Sequence, residues 1–287
     1  MGVRSRESGV RDQLPSPITH HPSPTSGIAA AFARAKAEGR IALLPFVTGG
    51  YPTMAQCERL IPALVEGGAD VIEIGIPFSD PLADGATVQR TSQVALANGT
   101  TLADCFALVR RVRAAGISAP LVFMGYTNPF YQYGIERLAN DAAGAGVDGF
   151  IVPDLPVEES DEWVEAFQRH GRDLIFLVAP TSTDARIAEV AKRASGFVYC
   201  VSLTGVTGAR DTLAEGLAAY MARVRAQTDL PLAIGFGISR PEHVAEIRPF
   251  TDGVLVASAL INRLDTLAED EQPAAARDFL HWLVGED

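Results

Sequence analysis

The stretch that decides the fold is VIEIGI, residues 71–76, which continues as PFSDPLADG over residues 77–85. Side chains of a strand alternate between its two faces, so Glu73 shares a face with Val71 and Gly75 while three isoleucines take the other. This pattern is typical of a parallel barrel strand, with the isoleucines toward surrounding helices and Glu73 in the barrel mouth. Because a buried carboxylate is costly unless it is paired or neutral, we expect Glu73 to have either a structural partner or a raised pKa and a chemical role.

Strand-like apolar runs alternate with helical patterns from about residue 27 onward. The predicted strands are residues 41–47, 70–76, 121–124, 149–152, 173–178, 197–201, 232–235 and 253–256. The predicted helices are residues 28–38, 54–66, 86–97, 102–115, 135–143, 157–170, 185–194, 213–227, 242–248 and 260–283. Strict alternation favours a parallel sheet, and eight units within about 250 residues favour a closed barrel. The sequence therefore predicts an α/β fold, a (β/α)8 TIM barrel with an extra N-terminal helix, in one catalytic domain spanning residues 27–287.

Residues 1–26 differ from the rest of the chain. Arg, Ser and Pro dominate there and no apolar periodicity appears, which predicts a disordered N-terminal tail. The segment lacks the apolar core of a secretory signal, and the acidic residues Glu7 and Asp12 argue against a transit peptide.

Composition narrows the class of partner. The net charge is −11 and basic residues form no clusters in the predicted domain, so we expect no nucleic-acid partner. Apolar runs are too short to cross a membrane, so we expect no membrane partner either. The three cysteines are widely spaced, which is typical of reduced thiols in a cytoplasmic protein.

Several reaction types lack the residues that they need. The two lysines, Lys36 and Lys192, fall in predicted helices away from the strand ends, so no amine is available there for a Schiff base. No histidine pair has the spacing of metal ligands, and we predict no metal site. No G-x-S-x-G motif is present, and no histidine is placed to activate a serine or cysteine nucleophile.

Carboxylates and aromatic residues remain at the predicted barrel mouth. Two carboxylates in different environments can divide the roles of acid and base. We expect burial to raise the pKa of Glu73. Asp84 lies in a polar turn, and we expect it to stay ionised. Two alternatives stay open: Glu73 forms a buried structural pair, or Asp84 serves in an Asx-turn or as the cap of the helix that begins near Ala86.

Three short Gly-rich loops follow the last predicted strands, over residues 202–208, 235–239 and 256–258. Backbone N–H groups after the seventh and eighth strands of such barrels commonly hold a phosphate, together with a helix N-terminus. The loops therefore predict phosphate binding, with ordinary tight turns as the alternative.

The motif of residues 73–85 resembles the hallmark of the tryptophan synthase alpha chain family. FVT at 46–48, VEES at 157–160, GVTG at 205–208 and GFGIS at 235–239 resemble that family too, and the likeness extends from about Ile28 to the C-terminus. The resemblance implies retro-aldol cleavage of indole-3-glycerol phosphate to indole and glyceraldehyde 3-phosphate, in the last steps of tryptophan biosynthesis. It implies no cofactor in this chain.

The resemblance also implies roles for individual residues. Glu73 is the expected general acid, and Asp84 is expected to stabilise positive charge at the indole N–H. The other expected site residues are Phe46, Tyr126 and Tyr199 around the indole and propanol part, Thr207 in a mobile loop that orients Asp84, and Gly208, Gly235, Gly237 and Ser258 around the phosphate.

By the same resemblance the chain binds a beta chain in an alpha2beta2 tetramer. The beta chain uses pyridoxal phosphate to join indole to serine, indole passes between the chains, and the two sites are coupled allosterically. The expected contact residues in this chain are Asp80, Pro81, Asn128 and Pro129.

Two positions depart from the family pattern. Ala257 stands where the family usually has glycine, which puts phosphate affinity in question, and Leu203 stands where arginine is common, which bears on loop closure.

Three rival functions remain open at this point. One is an isomerase or epimerase that acts on another sugar phosphate, although the site looks poorly supplied with groups facing each other. Another is a lyase that releases indole without a beta chain. A non-catalytic regulatory subunit is the third, and the presence of both Glu73 and Asp84 argues against it.

Overall fold

Eight parallel strands close into a barrel in which each strand pairs with its neighbours in chain order and β8 returns to β1. The computed structural model describes residues 26–201, 210–235 and 237–285, with the backbone alone for residues 210–215. The strands are β1 (Ala42–Thr48), β2 (Ile72–Gly75), β3 (Leu121–Met124), β4 (Gly149–Ile151), β5 (Asp173–Val178), β6 (Val198–Val201), β7 (Leu232–Gly235) and β8 (Gly253–Val256). The predicted TIM barrel is confirmed.

One helix precedes the first strand, and the others follow the strands around the barrel. They are α1 (Gly27–Ala37), α2 (Met54–Glu66), α3 (Ala86–Ala97), α4 (Leu102–Ala114), α5 (Thr127–Tyr133), α6 (Ile135–Ala145), α7 (Asp161–Arg169), α8 (Asp184–Arg193), α9 (Arg210–Arg225), α10 (Pro241–Ile247), α11 (Ser258–Leu264) and α12 (Gln272–Val284), with a short 3-10 turn at Val157–Glu159. Within the described residues, no helix is long and apolar enough to cross a membrane.

Local sequence signals start several of these helices. The Thr53 hydroxyl accepts a hydrogen bond from the Gln56 N–H at the start of α2, at 3.1 Å. Thr101 and Asp104 form a reciprocal capping box at the start of α4. Such caps satisfy N–H groups that have no partner inside the helix, which is why the predicted and observed helix starts agree here.

Alternation along the strands divides the core into two layers. Ile72, Ile74 and Ile76 pack in the large cluster between barrel and helices, whereas Val71 packs inside the barrel. The inner cluster also contains Ile28 and Phe32 of α1. Helix α1 therefore closes the N-terminal end of the barrel, and the opposite end remains as the mouth.

The observed helices differ in detail from the predicted ones at three places. Residues 127–133 form α5, which is absent from the helices predicted above. The region predicted as one helix over 157–170 is a 3-10 turn followed by α7, and the region 260–283 contains two helices, α11 and α12. The predicted tail, residues 1–26, lies outside the described residues except for Ser26, whose hydroxyl accepts a hydrogen bond from the Ala29 N–H and caps α1.

Candidate active site

Glu73 lies in the wall of the barrel mouth and is 4% exposed. Burial raises its pKa to about 8, and the nearby negative charge of Asp84 adds to the rise. Among the described residues, Glu73 has no hydrogen-bond or ion-pair partner. The expectation of a raised pKa is confirmed, and the described residues offer no support for a structural pair. Glu73 thus holds its proton at neutral pH beside a cavity that a substrate could enter.

Asp84 lies in the turn between β2 and α3. Burial raises its pKa to about 6, while a hydrogen bond from the Tyr126 hydroxyl opposes the rise. At pH 7 the carboxyl group is therefore mostly ionised. The N-cap of α3 is Gly85, and no side chain caps that helix, so the interpretation of Asp84 as a helix cap is wrong. The turn places the carboxylate in the cavity wall.

Tyr126 supports the Asp84 turn from behind. Its hydroxyl accepts a hydrogen bond from the Ala83 N–H at 3.0 Å and donates one to the Asp84 carboxylate. Its ring packs against Phe78, with 5.4 Å between the centroids. Tyr126 was predicted to border the indole, but it is absent from the described cavity wall. Its contacts are those of a residue that positions Asp84.

A cavity of about 340 Å³ opens between the two carboxylates and the loops that follow β7 and β8. That volume lies in the usual range for small-molecule sites. Its described lining residues are Phe46, Glu73, Ala83, Asp84, Gly85, Val88, Met124, Ile151, Pro153, Leu177, Tyr199, Gly237, Ile238, Ser239, Leu255, Val256, Ala257, Ser258, Ala259 and Asn262. Six predicted site residues are among them: Phe46, Glu73, Asp84, Tyr199, Gly237 and Ser258.

An apolar strip in this wall was not among the site residues predicted from the sequence. Met124, Ile151 and Leu177 lie at or near the ends of β3, β4 and β5 and line the cavity. The alternation of strand side chains was a signal that could have identified them, because each faces the barrel interior near the mouth. Together with Phe46 and Tyr199 they make one side of the cavity apolar, which suits a flat aromatic ring.

Two glycines allow aromatic rings to pack at the mouth. A Cβ on Gly75 would lie 2.4 Å from the Phe46 ring, and a Cβ on Gly235 would lie 2.3 Å from the Tyr199 hydroxyl. Any larger residue at either position would displace the ring. Gly235 therefore has a packing role beside Tyr199, whatever it contributes to phosphate binding.

The loops after β7 and β8 add small and polar residues to the cavity wall. Gly237 and Ser239 follow β7, and Ser258 begins α11 after Ala257. The φ of Ala257 is −123°, outside the left-handed region that favours glycine, so φ at this position does not require the glycine of the family pattern. No lysine or arginine is among the described lining residues, so a phosphate here would rely on N–H and hydroxyl groups. Thr207, Gly208 and Leu203 lie outside the described residues.

The residues predicted to contact a partner differ in exposure. Asp80 and Asn128 are exposed and Pro129 is half-buried, but Pro81 is buried. The adjacent Leu82 is 92% exposed, and Tyr131 on α5 is 63% exposed. Leu82 and Tyr131 thus add apolar side chains to this surface, and neither was predicted, since the exposure of a single residue leaves no sequence pattern.

Comparison with known proteins agrees with this geometry. The model of the family described as the tryptophan synthase alpha chain matches residues 32–282. The chain belongs to the tryptophan synthase alpha chain family. The tryptophan synthase alpha chain of Roseiflexus castenholzii is 54% identical over 260 residues, which are 91% of this chain and 100% of that relative. That of Chloroflexus aurantiacus is 51% identical over 259 residues, 90% of this chain and 97% of the relative.

Solved structures of the family share the fold. The tryptophan synthase subunit alpha of Legionella pneumophila superposes with a TM-score of 0.84 at 36% identity, covering 91% of this chain and 98% of that one. A chain of Mycobacterium tuberculosis tryptophan synthase has a TM-score of 0.81 at 37% identity, covering 90% of this chain and 98% of that one. Membership in the tryptophan synthase alpha chain family gives this chain the alpha-subunit role in tryptophan biosynthesis, the lyase cleavage of indole-3-glycerol phosphate.

Proposed function

We propose that Glu73 and Asp84 perform the cleavage of indole-3-glycerol phosphate in this chain. The observation that carries the proposal is one cavity that holds two carboxyl groups of different pKa, about 8 for Glu73 and about 6 for Asp84. Between these values one group is protonated and the other is charged. Neighbouring titratable groups with separated pKa values are the arrangement that divides acid and electrostatic roles.

The proton transfers follow from these protonation states. Glu73 donates its proton to carbon 3 of the indole ring, and the positive charge that develops at the ring N–H is stabilised by ionised Asp84. The Glu73 carboxylate then takes the proton of the substrate hydroxyl adjacent to the ring. The carbon–carbon bond breaks, its electron pair returns to the ring, and the hydroxyl carbon becomes the aldehyde. Indole and glyceraldehyde 3-phosphate leave, and Glu73 is protonated again.

The cavity suggests how the substrate lies. Its apolar side, with Phe46 and Tyr199, suits the indole ring next to Asp84. Its polar end, with Gly237 and Ser258, suits the phosphate. We keep Gly208 and Gly235 as further phosphate ligands and Thr207 as the residue of a closing loop that orients Asp84. Tyr126 positions Asp84, because its hydroxyl donates a hydrogen bond to that carboxylate.

A tryptophan synthase beta chain is the proposed partner, in an alpha2beta2 tetramer. Pyridoxal phosphate belongs to the beta chain in this proposal, and indole passes to it with allosteric coupling between the sites. The surface that supports the proposal contains exposed Asp80 and Asn128 together with the apolar side chains of Leu82 and Tyr131. The three buried free cysteines are in keeping with the cytoplasm as its compartment.

Indole release tests the catalytic proposal. Wild type, Glu73→Gln and the control Glu162→Gln, an exposed residue of α7, are assayed on indole-3-glycerol phosphate with and without a beta chain. We expect release by wild type and the control, stimulation by the beta chain, and a loss of about 10³-fold or more in Glu73→Gln, because the proton donor is gone.

Other outcomes would change the proposal. Activity in Glu73→Gln within about tenfold of wild type would contradict the acid role. Full activity of wild type without any response to the beta chain would favour the autonomous lyase. No indole from folded wild type under either condition would overturn the catalytic assignment.

A further inference from the structure

Three side chains from separate elements meet outside the active-site cavity, at the outer side of the barrel mouth. The Tyr51 hydroxyl donates to Asp265 Oδ1 at 2.6 Å and accepts from Arg90 Nη1 at 2.9 Å. Arg90 Nη2 forms an ion pair with Asp265 Oδ2. The guanidinium carbon of Arg90 also lies 5.6 Å from the centroid of the Tyr51 ring. Each member contacts both others, and we call them the Tyr51–Arg90–Asp265 triad.

The triad joins two helices that begin beside cavity-lining residues, α3 beside Asp84 and α11 at Ser258. Arg90 belongs to α3, which begins two residues after Asp84. Asp265 is the C-cap of α11, which begins at Ser258. Tyr51 follows β1 and bridges the other two. None of the three is among the described residues of the cavity wall, so none is placed to touch a substrate there.

A small apolar cluster and one further hydrogen bond also join these helices. Phe46, Val88 of α3 and Ile261 of α11 form a small cluster of their own beneath the triad. On the cavity side, the link between the helices is a long hydrogen bond from Thr87 to Asn262, at 3.4 Å. Apolar contacts are non-directional, whereas hydrogen bonds and a charged fork impose a distance and an angle. Of the two hydrogen-bonded connections between α3 and α11, the triad is therefore the one with shorter bonds and a charged pair.

We propose that the Tyr51–Arg90–Asp265 triad is a positioning device that sets the separation of α3 and α11. It thereby sets the distance between Asp84 and Ser258, which one substrate molecule must span from its ring to its phosphate. The inference rests on the proposed function, because it assigns those two residues to opposite ends of the same substrate. The triad therefore affects the binding of ligands that reach both Asp84 and Ser258. Ligands that reach only one of the two residues should bind equally well without it.

Loss of the triad should change the stability of the fold only slightly. It should weaken more strongly the binding of ligands that reach both Asp84 and Ser258. The Arg90 side chain is 46% exposed, and exposed ion pairs contribute little to stability. Misplacement of binding groups by a fraction of an ångström, in contrast, lowers the advantage of joining two binding parts in one molecule.

Ligand binding to the isolated chain tests the inference. The variants are Arg90→Met and Tyr51→Phe, singly and together. The ligands are indole-3-propanol phosphate, which spans both ends and cannot react, and its two parts, indole and propyl phosphate. In each single variant we expect the Kd of the spanning ligand to increase about five- to tenfold while the Kd of each part changes by less than about twofold. The double variant should be no weaker than Arg90→Met, since both changes break one network.

Arg111→Met provides a matched control. Arg111 is 43% exposed and joins α4 to α2 through Glu58 at 2.6 Å, remote from the cavity, so its loss should leave all three ligands unchanged. Equal weakening of all three ligands in the triad variants would overturn the inference, as would no change in any of them. Failure of wild type to bind the spanning ligand would instead overturn the proposed function, and this inference with it.

Discussion

Two buried carboxylates, one near each end of strand β2, differ in whether a cation lies beside them. Asp70, at the closed end of the barrel, has a side chain only 2% exposed and receives Arg40 at 2.6 and 2.8 Å, Arg34 at 3.4 Å and the Leu43 N–H at 3.0 Å. Glu73, three residues later at the mouth, is equally buried and has no cation beside it among the described residues. Similar burial therefore gives a structural ion pair at one end and a group with a raised pKa at the other.

The closed end repeats its arrangement. Asp148 receives Arg113 at 2.6 Å and the Leu121 N–H at 2.9 Å. Asp252 forms an ion pair with Arg225 and accepts the Leu232 N–H at 2.9 Å. Each aspartate precedes one strand and holds the start of the strand before it. Paired carboxylates stabilise one end of the barrel, and unpaired carboxylates at the other end are available for chemistry.

After Glu73→Gln, Asp84→Asn is the change at the mouth with the largest expected effect on activity. Loss of the negative charge removes the stabilisation of the indole cation, and kcat/KM for indole release should fall about 10²- to 10³-fold. The pKa of Glu73 should fall as well, because the charge of Asp84 contributes to its rise. Indole assays and a ¹³C NMR titration of labelled Glu73 measure both effects. An unchanged Glu73 titration would show that the two carboxylates do not interact.

Glu73→Gln should stabilise the fold in a pH-dependent way. The pKa of Glu73 is raised from 4.5 to about 8, so the folded state holds a proton that the unfolded state releases, and wild type loses stability as the pH rises between these values. The advantage of the variant should grow by roughly 3 kcal/mol from pH 5 to pH 8. Urea unfolding at both pH values measures it. A constant difference would mean that Glu73 titrates normally.

Asp70→Asn should have the opposite result at the closed end. It removes the ion pair between Arg40 and Asp70 and leaves Glu38 as the charged acceptor of the guanidinium. The free energy of unfolding should therefore fall by about 1–2 kcal/mol, less than for a fully buried pair because the Arg40 side chain is 32% exposed. Below the unfolding transition, kcat/KM should equal that of wild type. A large loss of activity in folded Asp70→Asn would contradict the assignment of a structural role to the closed end and a catalytic role to the mouth.

Tyr126→Phe should have the smallest effect. Loss of the hydrogen bond to the charged form of Asp84 raises the pKa of that group further above 6, so the acid side of the pH–rate profile should move to higher pH. At pH 8 the rate should drop only a few-fold, because Asp84 is still ionised there. A profile identical to that of wild type would contradict the positioning role of Tyr126.

Much of the fold could be predicted from local pattern. The predicted bounds of β3, β5, β7 and β8 are those of the structure, because apolar strands and Gly-rich or Asp-containing joints leave strong signals. Helix α5 escaped prediction because it has seven residues and its Thr127 N–H and hydroxyl are satisfied by Asp154 from a distant loop, at 2.8 and 2.9 Å. Such contacts between distant parts of the chain have no local sequence pattern.

The residue types and their order determined a barrel with α1 before it, Glu73 at the mouth and an inventory without lysine or histidine at the strand ends. Only the tertiary structure decided that Asp84 is buried enough to titrate near pH 6, that Tyr126 serves Asp84 and that Pro81 is buried while Leu82 is exposed. The physical reason is that periodicity reports which face of an element is apolar, whereas pKa values and hydrogen bonds depend on groups that meet across different elements.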